Sequence, residues 1–257
     1  MKQALAFMIG LVLEASCVVA ADTMENAVLP KLLAAAEAGD GSAQFYLGVR
    51  YKTGNGVPKD FTQEAIWLRK SAEQGHLSAQ LDLGSLYRSG EGVPKDVTEA
   101  IKWYRMAADK GFPPAEFGLG SMYLKGEGVD KDATQGVKWI RAAAEQGEPM
   151  AQALLASMYA SGIAVPKDSA EAVRWYRLAA DQGNALAQGG LGYMYQHGEG
   201  VKKDIVEAYA WLSMARANGV KNAEGNLASI RLFGITADEK ARALKLAALR
   251  SAQMKKK

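Results

Sequence analysis

The sequence predicts an all-α chain built as a tandem array of antiparallel helix pairs, and three observations carry that prediction. The five tryptophans of the 257-residue chain, Trp67, Trp103, Trp139, Trp175 and Trp211, stand 36 residues apart, a spacing that a repeated structural unit explains. Alanine opens each unit in the same register, at Ala43, Ala79, Ala115, Ala151, Ala187 and Ala223. Tyrosine (Tyr51, Tyr87, Tyr123, Tyr159, Tyr195), glycine (Gly75, Gly111, Gly147, Gly183, Gly219) and aspartate (Asp60, Asp96, Asp132, Asp168, Asp204) follow the same period. Five units are therefore complete, over 43–222.

Taken in order, the N-terminus comes first. Lys2, the apolar run Ala4 to Leu13 and the small-residue stretch ending Val18-Val19-Ala20 have the layout of a secretory signal peptide over 1–20, with cleavage after Ala20. The run is too short to span a bilayer, which takes roughly 20 helical residues, and no later segment approaches that length, so no integral membrane segment is expected. The expected location is periplasmic or secreted. An alternative is a lipoprotein signal at Cys17, which follows Ala15 and Ser16 but has Glu14 where that signal wants an aliphatic residue. Cys17 is the sole cysteine, so no disulfide framework holds the fold. Residues 21–42 are expected to form an N-terminal capping helix, seen in the run Leu29 to Ala38. Terminal units of an array differ because one side faces solvent.

Within a unit, Ala79 to Ser89 reads as a first helix. Ala79, Leu83, Leu86 and Tyr87 share one face at helical spacing. Gly84 lies beside them and recurs as Gly48, Gly120 and Gly192, with Ala156 in the remaining unit, which suggests that helices approach closely there. The turn Gly90-Glu91-Gly92-Val93-Pro94-Lys95-Asp96 reverses the chain, because its glycines allow positive φ and its proline disfavours helix just before it. Asp96 or Thr98 then caps the second helix, Val97 to Lys110, and Gly111 suits a left-handed C-terminal cap. In that helix Trp103 with Ala107 and Ala108 sets a large side chain beside small ones, a packing pattern for neighbouring helices. Residues 223–257 read as a C-terminal capping helix pair with a basic tail.

The run Ala79-Gln80-Leu81-Asp82-Leu83-Gly84-Ser85-Leu86-Tyr87, the turn just quoted and Ala107-Ala108-Asp109-Lys110-Gly111 resemble the Sel1-like repeat family, relatives of the tetratricopeptide repeat. Departures are local: Gln135-Gly136 replaces glutamate-alanine, Ala164 replaces the second turn glycine, Lys202 replaces the proline, and Glu64-Ala65 is shifted by one residue in the first unit. The resemblance implies a right-handed α-solenoid whose concave surface binds other proteins, and no chemistry. It further implies, for exported members, roles as envelope adaptors, signalling regulators, host-interaction factors or periplasmic immunity proteins that block secreted phospholipase toxins. A cysteine-rich branch linked to β-lactam binding fits poorly with a chain that loses its one cysteine on cleavage.

Composition narrows the function further. Thirty-one Lys+Arg against twenty-eight Asp+Glu gives +3, which Lys255, Lys256 and Lys257 account for, so the body is balanced and a nucleic-acid partner is not expected. His76 and His197 are the only histidines and make no zinc site without cysteine; Asp130 and Asp132 lack the further ligands of a calcium loop. The Gly-x-Gly turns lack the strand and third glycine of a phosphate cradle. No metal, cofactor or catalytic residue is expected. The tryptophan and tyrosine rows read as core. The informative positions are those that vary between first helices: Phe45, Tyr46, Val49 and Lys52; Leu81, Asp82 and Arg88; Phe117 and Leu124; Leu154; Tyr193 and Gln196. These are expected to line the concave face and to bind the partner, aromatic anchors with a few polar groups around them. The competing reading is that the large members pack against adjacent first helices. The expected function is non-catalytic capture of a protein, a toxin effector or a regulator to be neutralised; the alternatives are an adaptor in envelope assembly or host contact, and a hydrolase with an unrecognised site.

Overall fold

A computed structural model describes residues 29–255; the signal-peptide reading and Cys17 lie outside them. Among the described residues every regular element is a helix. They fall into two compact units, one ending at Lys110 and the other starting at Gly111.

The first unit opens with helix α1 over 29–37. Two hairpins follow: α2 (Gly41–Thr53) with α3 (Phe61–Glu73), and α4 (Leu77–Ser89) with α5 (Val97–Ala108). The second unit holds α6 (Pro113–Lys125) with α7 (Ala133–Glu145), α8 (Pro149–Ser161) with α9 (Ser169–Asp181), and α10 (Ala185–His197) with α11 (Ile205–Ala217). It closes with α12 (Asn222–Phe233) and α13 (Ala237–Met254). Within each unit, helices pack chiefly on their partner in the hairpin and on the next hairpin in sequence, as a repeat array requires.

The local chemistry explains each hairpin. The first helix ends on a glycine in the left-handed region, φ 82° at Gly90, whose N–H donates to the Leu86 carbonyl. The turn then closes when the Asp96 N–H donates to the Tyr87 carbonyl at 2.9 Å, a bond repeated at Asp168 to Tyr159 and Asp204 to Tyr195. The Asp96 carboxylate accepts from the Glu99 N–H, so aspartate rather than Thr98 is the cap. Gly84 and Gly192 stand where two helices of a hairpin touch: a Cβ there would lie 3.2 Å from the carbonyl oxygens of Ala100 and Ala208.

The core is a row of leucines and alanines. Leu47 and Leu83 in the first unit, and Leu119, Leu155, Leu191 and Leu227 in the second, are fully buried. Of the tryptophans, Trp103, Trp175 and Trp211 are buried while Trp67 and Trp139 are half-exposed, so the row expected to be uniformly core is core at three positions.

Two polar ladders run through the packing. Gln44, Gln80, Gln152 and Gln188 are buried, and each side-chain amide donates to the last turn of the preceding helix, at Ala36, Ala72, Ala144 and Ala180. Three of their carbonyl oxygens accept from the end of the second helix of the same hairpin, Gln74 to Gln44, Gln182 to Gln152 and Asn218 to Gln188, while that of Gln80 has no such partner. Glu116 takes the glutamine's place once and accepts from Gln146, and burial raises its carboxyl above the usual range. On another face, arginines of second helices donate to tyrosine hydroxyls eighteen residues on: Arg69 to Tyr87, Arg141 to Tyr159 and Arg177 to Tyr195. Leaving such buried donors unpaired is costly, so these bonds fix the register at which one hairpin seats on the next.

Candidate functional site

The variable positions of the first helices are not equivalent once folded. In the first unit, Tyr46 is 59% exposed, while Phe45 stacks on the His76 ring at 4.5 Å and meets Tyr46 edge-on at 5.5 Å. His76 is not a free loop residue; it caps α4, its Nδ1 accepting from the Ala79 N–H. Val49, Leu81, Asp82 and Arg88 are half-buried and Lys52 is exposed.

Lys52 and Asp82 are brought together around Glu64, which is 1% exposed and has no hydrogen-bond partner on either carboxylate oxygen. Lys52 Nζ stands 3.9 Å from it. Burial pushes the Glu64 carboxyl up to about 7; Lys52 and Lys59 oppose the rise, and Asp82 and Glu91 add to it. Burial likewise raises Asp82, against the pull of Lys52 and His76. The other repeats carry Ala100, Gly136, Ala172 and Ala208 where Glu64 stands, so the one-residue shift in the first repeat places a carboxylate at a helix–helix contact.

In the second unit, Leu124 and Leu154 line one pocket of about 430 Å³ together with Met158, Ile163, Ala164, Ala133 and Lys131. Tyr193, 41% exposed and set against the His197 ring at 4.1 Å, lines an adjacent depression with Tyr176 and Lys167. The two share Ser157 and Ser161. Gln196 lines a separate cleft with Ile205 and Phe233. Phe117 is half-buried and packs on the core of α7 and α8, as do Leu124 and Leu154 from one side. The large side chains therefore serve both readings: Phe117 is chiefly packing, Tyr46 and Tyr193 chiefly surface, and the two leucines are walls of a pocket.

Ile163 and Ala164 lie in the turn after α8, outside the first helices from which the expected site residues come. The signal was available in the turns, where Ile163 stands in register with Glu91, Glu127 and Glu199, and Ala164 with Gly92, Gly128 and Gly200. Among the described residues, no cluster of three or more histidine, cysteine or acidic side chains could hold a metal ion, and no helix is long and apolar enough to cross a membrane. The arrangement offers shape, aromatic surface and a few charges for recognition.

Comparison with known proteins agrees with this anatomy. The Sel1 repeat model matches residues 41–76, 77–112, 113–148, 149–184 and 185–220, a frame that starts where the first helices start. A protective antigen of uropathogenic Escherichia coli, c5321, is 39% identical with a TM-score of 0.75; the match covers 88% of this chain, which spans 48% of the antigen. A Sel1 repeat protein from Oxalobacter formigenes is 33% identical with a TM-score of 0.70, over 81% of this chain and 85% of that one. The immunity protein Pa5087 from Pseudomonas aeruginosa shares the fold at 24% identity and a TM-score of 0.52, over 84% of this chain and 81% of its own. No curated protein matches.

Proposed function

Because the chain belongs to the Sel1 repeat family, a scaffold that binds protein partners, we propose that it captures a protein through the variable positions of its first helices and acts by occupancy alone. The observation that carries this reading is the placement of Tyr46 and Tyr193, large aromatics left 59% and 41% exposed on helices whose repeated positions are consumed by packing. Aromatic side chains at such positions supply most of the energy of many interfaces. A preformed array also loses little conformational freedom on binding.

Neutralising a secreted phospholipase-type toxin, or a regulator, is the leading role. Such an inhibitor needs only complementary shape and charge, and the fold shared with Pa5087 supports the architecture that role uses. The likeness to the E. coli protective antigen favours a second reading, an adaptor at the cell envelope or in host contact. Both roles call for a protein outside the cytoplasm, and the signal-peptide layout of residues 1–20 supports that location.

The test is capture of the partner from periplasmic extract with the mature chain, followed by calorimetric titration. Tyr46→Ala and Tyr193→Ala should each lower affinity by about tenfold to several hundredfold, with the helical circular dichroism unchanged. Full affinity in both variants would move the binding surface elsewhere.

A further inference from the structure

Two departures of this chain from its own repeat, Gly136 and Ala164, converge on one place. In the fifth repeat the second turn glycine packs backbone to backbone: a Cβ on Gly200 would fall 2.0 Å from the Ser169 carbonyl oxygen at the start of α9. Gly92 approaches Phe61 at the start of α3 in the same way. The fourth repeat has Ala164 there, held at φ 64°, the one residue other than glycine with positive φ among those described. With a methyl group in the way, that turn cannot close on the start of α7, and the 430 Å³ pocket lies between them, lined by both Ala133 and Ala164.

The walls of this pocket are also exceptions. Ile163 replaces the glutamate of the sister turns and is 68% exposed. Leu124 stands where the first two repeats have Lys52 and Arg88, and Leu154 where the second has Asp82. Leu124 fits only because Gly136 replaces alanine beneath it: a Cβ at Gly136 would lie 2.6 Å from Leu124 Cγ. Four register positions have exchanged charge or compactness for an open apolar hollow, and stability does not account for an exposed isoleucine in a turn. Lys131 is the one charged side chain lining the hollow. Through Ser157 and Ser161 it continues into the depression walled by Tyr193, with Lys167 and Glu199 as its charged members, so the groove is elongated rather than closed.

Resting on the protein-binding reading above, we infer that this pocket anchors an extended segment of the partner protein in which a bulky apolar residue is flanked by an acidic one. The apolar side chain enters between Leu124, Leu154 and Ile163, and the carboxylate faces Lys131. The elongated groove selects a polypeptide strand over a compact ligand, and the lysine at its lip selects the flanking charge.

The test is selection of phage-displayed random peptides on the full chain, then fluorescence anisotropy of the enriched peptides against variants. Enriched sequences should share an apolar–acidic pair. I163E and L154D install residues the sister repeats already carry and should reduce affinity by about tenfold or more with unchanged circular dichroism. K131E should weaken binding, and exchange of the peptide's acidic residue for lysine should restore it. Absence of an enriched sequence, or affinity indifferent to I163E and L154D, overturns the assignment, as does dodecanoate binding lost in I163E when no peptide is enriched. A natural partner weakened by Tyr46→Ala yet untouched by I163E removes this anchor and leaves protein capture standing.

Discussion

Glu64 is the residue with the sharpest thermodynamic signature. Its carboxyl is pushed up to about 7 when folded, from about 4.5 when unfolded, because folding strips its water and supplies no hydrogen bond, with Lys52 at 3.9 Å and Lys59 only partly offsetting the loss. The folded state therefore holds the proton more tightly, and this group's contribution to stability falls as pH rises from about 4.5 to about 7. Below that window no penalty applies; above it the penalty is complete. Glu64→Gln should match the parent near pH 4 and exceed it by about 3 kcal/mol at pH 8, read by urea denaturation across the range. A constant difference at all pH values would show that the carboxylate is solvated. The tryptophans give a second prediction. Trp175→Ala, at a buried site, should cost about 3–5 kcal/mol, and Trp139→Ala, at a half-exposed one, clearly less, in parallel chemical denaturation. Equal losses would mean that exposure does not rank the row.

Single elements show how the turn chemistry is divided. Gly200→Ala forces a methyl group onto the Ser169 backbone and into the left-handed region at once, and should cost about 2–4 kcal/mol in thermal or urea unfolding. A neutral result would mean that the turn moves aside freely, and that Ala164 is no explanation for the pocket beside it. Much at this scale was legible in the sequence. The 36-residue register marked the hairpins, the aspartate caps and the close-approach glycines, because each depends on neighbours within a few positions of the chain. The glutamine ladder repeats in the same register and was equally open to notice at Gln44, Gln80, Gln152 and Gln188. The burial of Glu64 was not legible. A shift of one residue in a helix reads as a slip in a pattern until packing turns that face inward. Nor could the register rank the tryptophans, whose exposure depends on side chains contributed by other helices. The first-helix strip mixed anchors with packing residues for the same reason: Phe117 and Tyr193 share a helix type but not a neighbourhood.

For the molecule as a whole, the end of the array is held by a specific clasp. Arg250 donates twice to Glu207, at 2.9 and 3.0 Å, and its guanidinium lies 4.3 Å over the Trp211 ring, while Ala243 and Ala247 of α13 enter the core. Truncation after Thr236 should bare the face of α11 that carries Glu207 and Trp211. A lower melting temperature and increased binding of an apolar dye are expected; an unchanged melt would show α13 to be an appendage. Export is checked separately by mass spectrometry, which should find a mature N-terminus near Ala21; a dominant intact Met1 form in the cytoplasm would reject it. The two polar ladders carry an evolutionary implication. Each glutamine and each arginine finds its partner at a fixed offset in the neighbouring hairpin, so one repeat's donors match any other's acceptors. If recombination excised 149–184, Gln188 would inherit the Ala144 carbonyl from Gln152, and Arg141 would reach Tyr195 in place of Tyr159. Copy number is thus free to change in whole repeats without stranding the donors of these ladders, whereas a loss of 35 or 37 residues rotates every later helix off its seam. Lineages can lengthen or shorten such an array cheaply, and the hollow between repeats three and four is the feature that excision would erase.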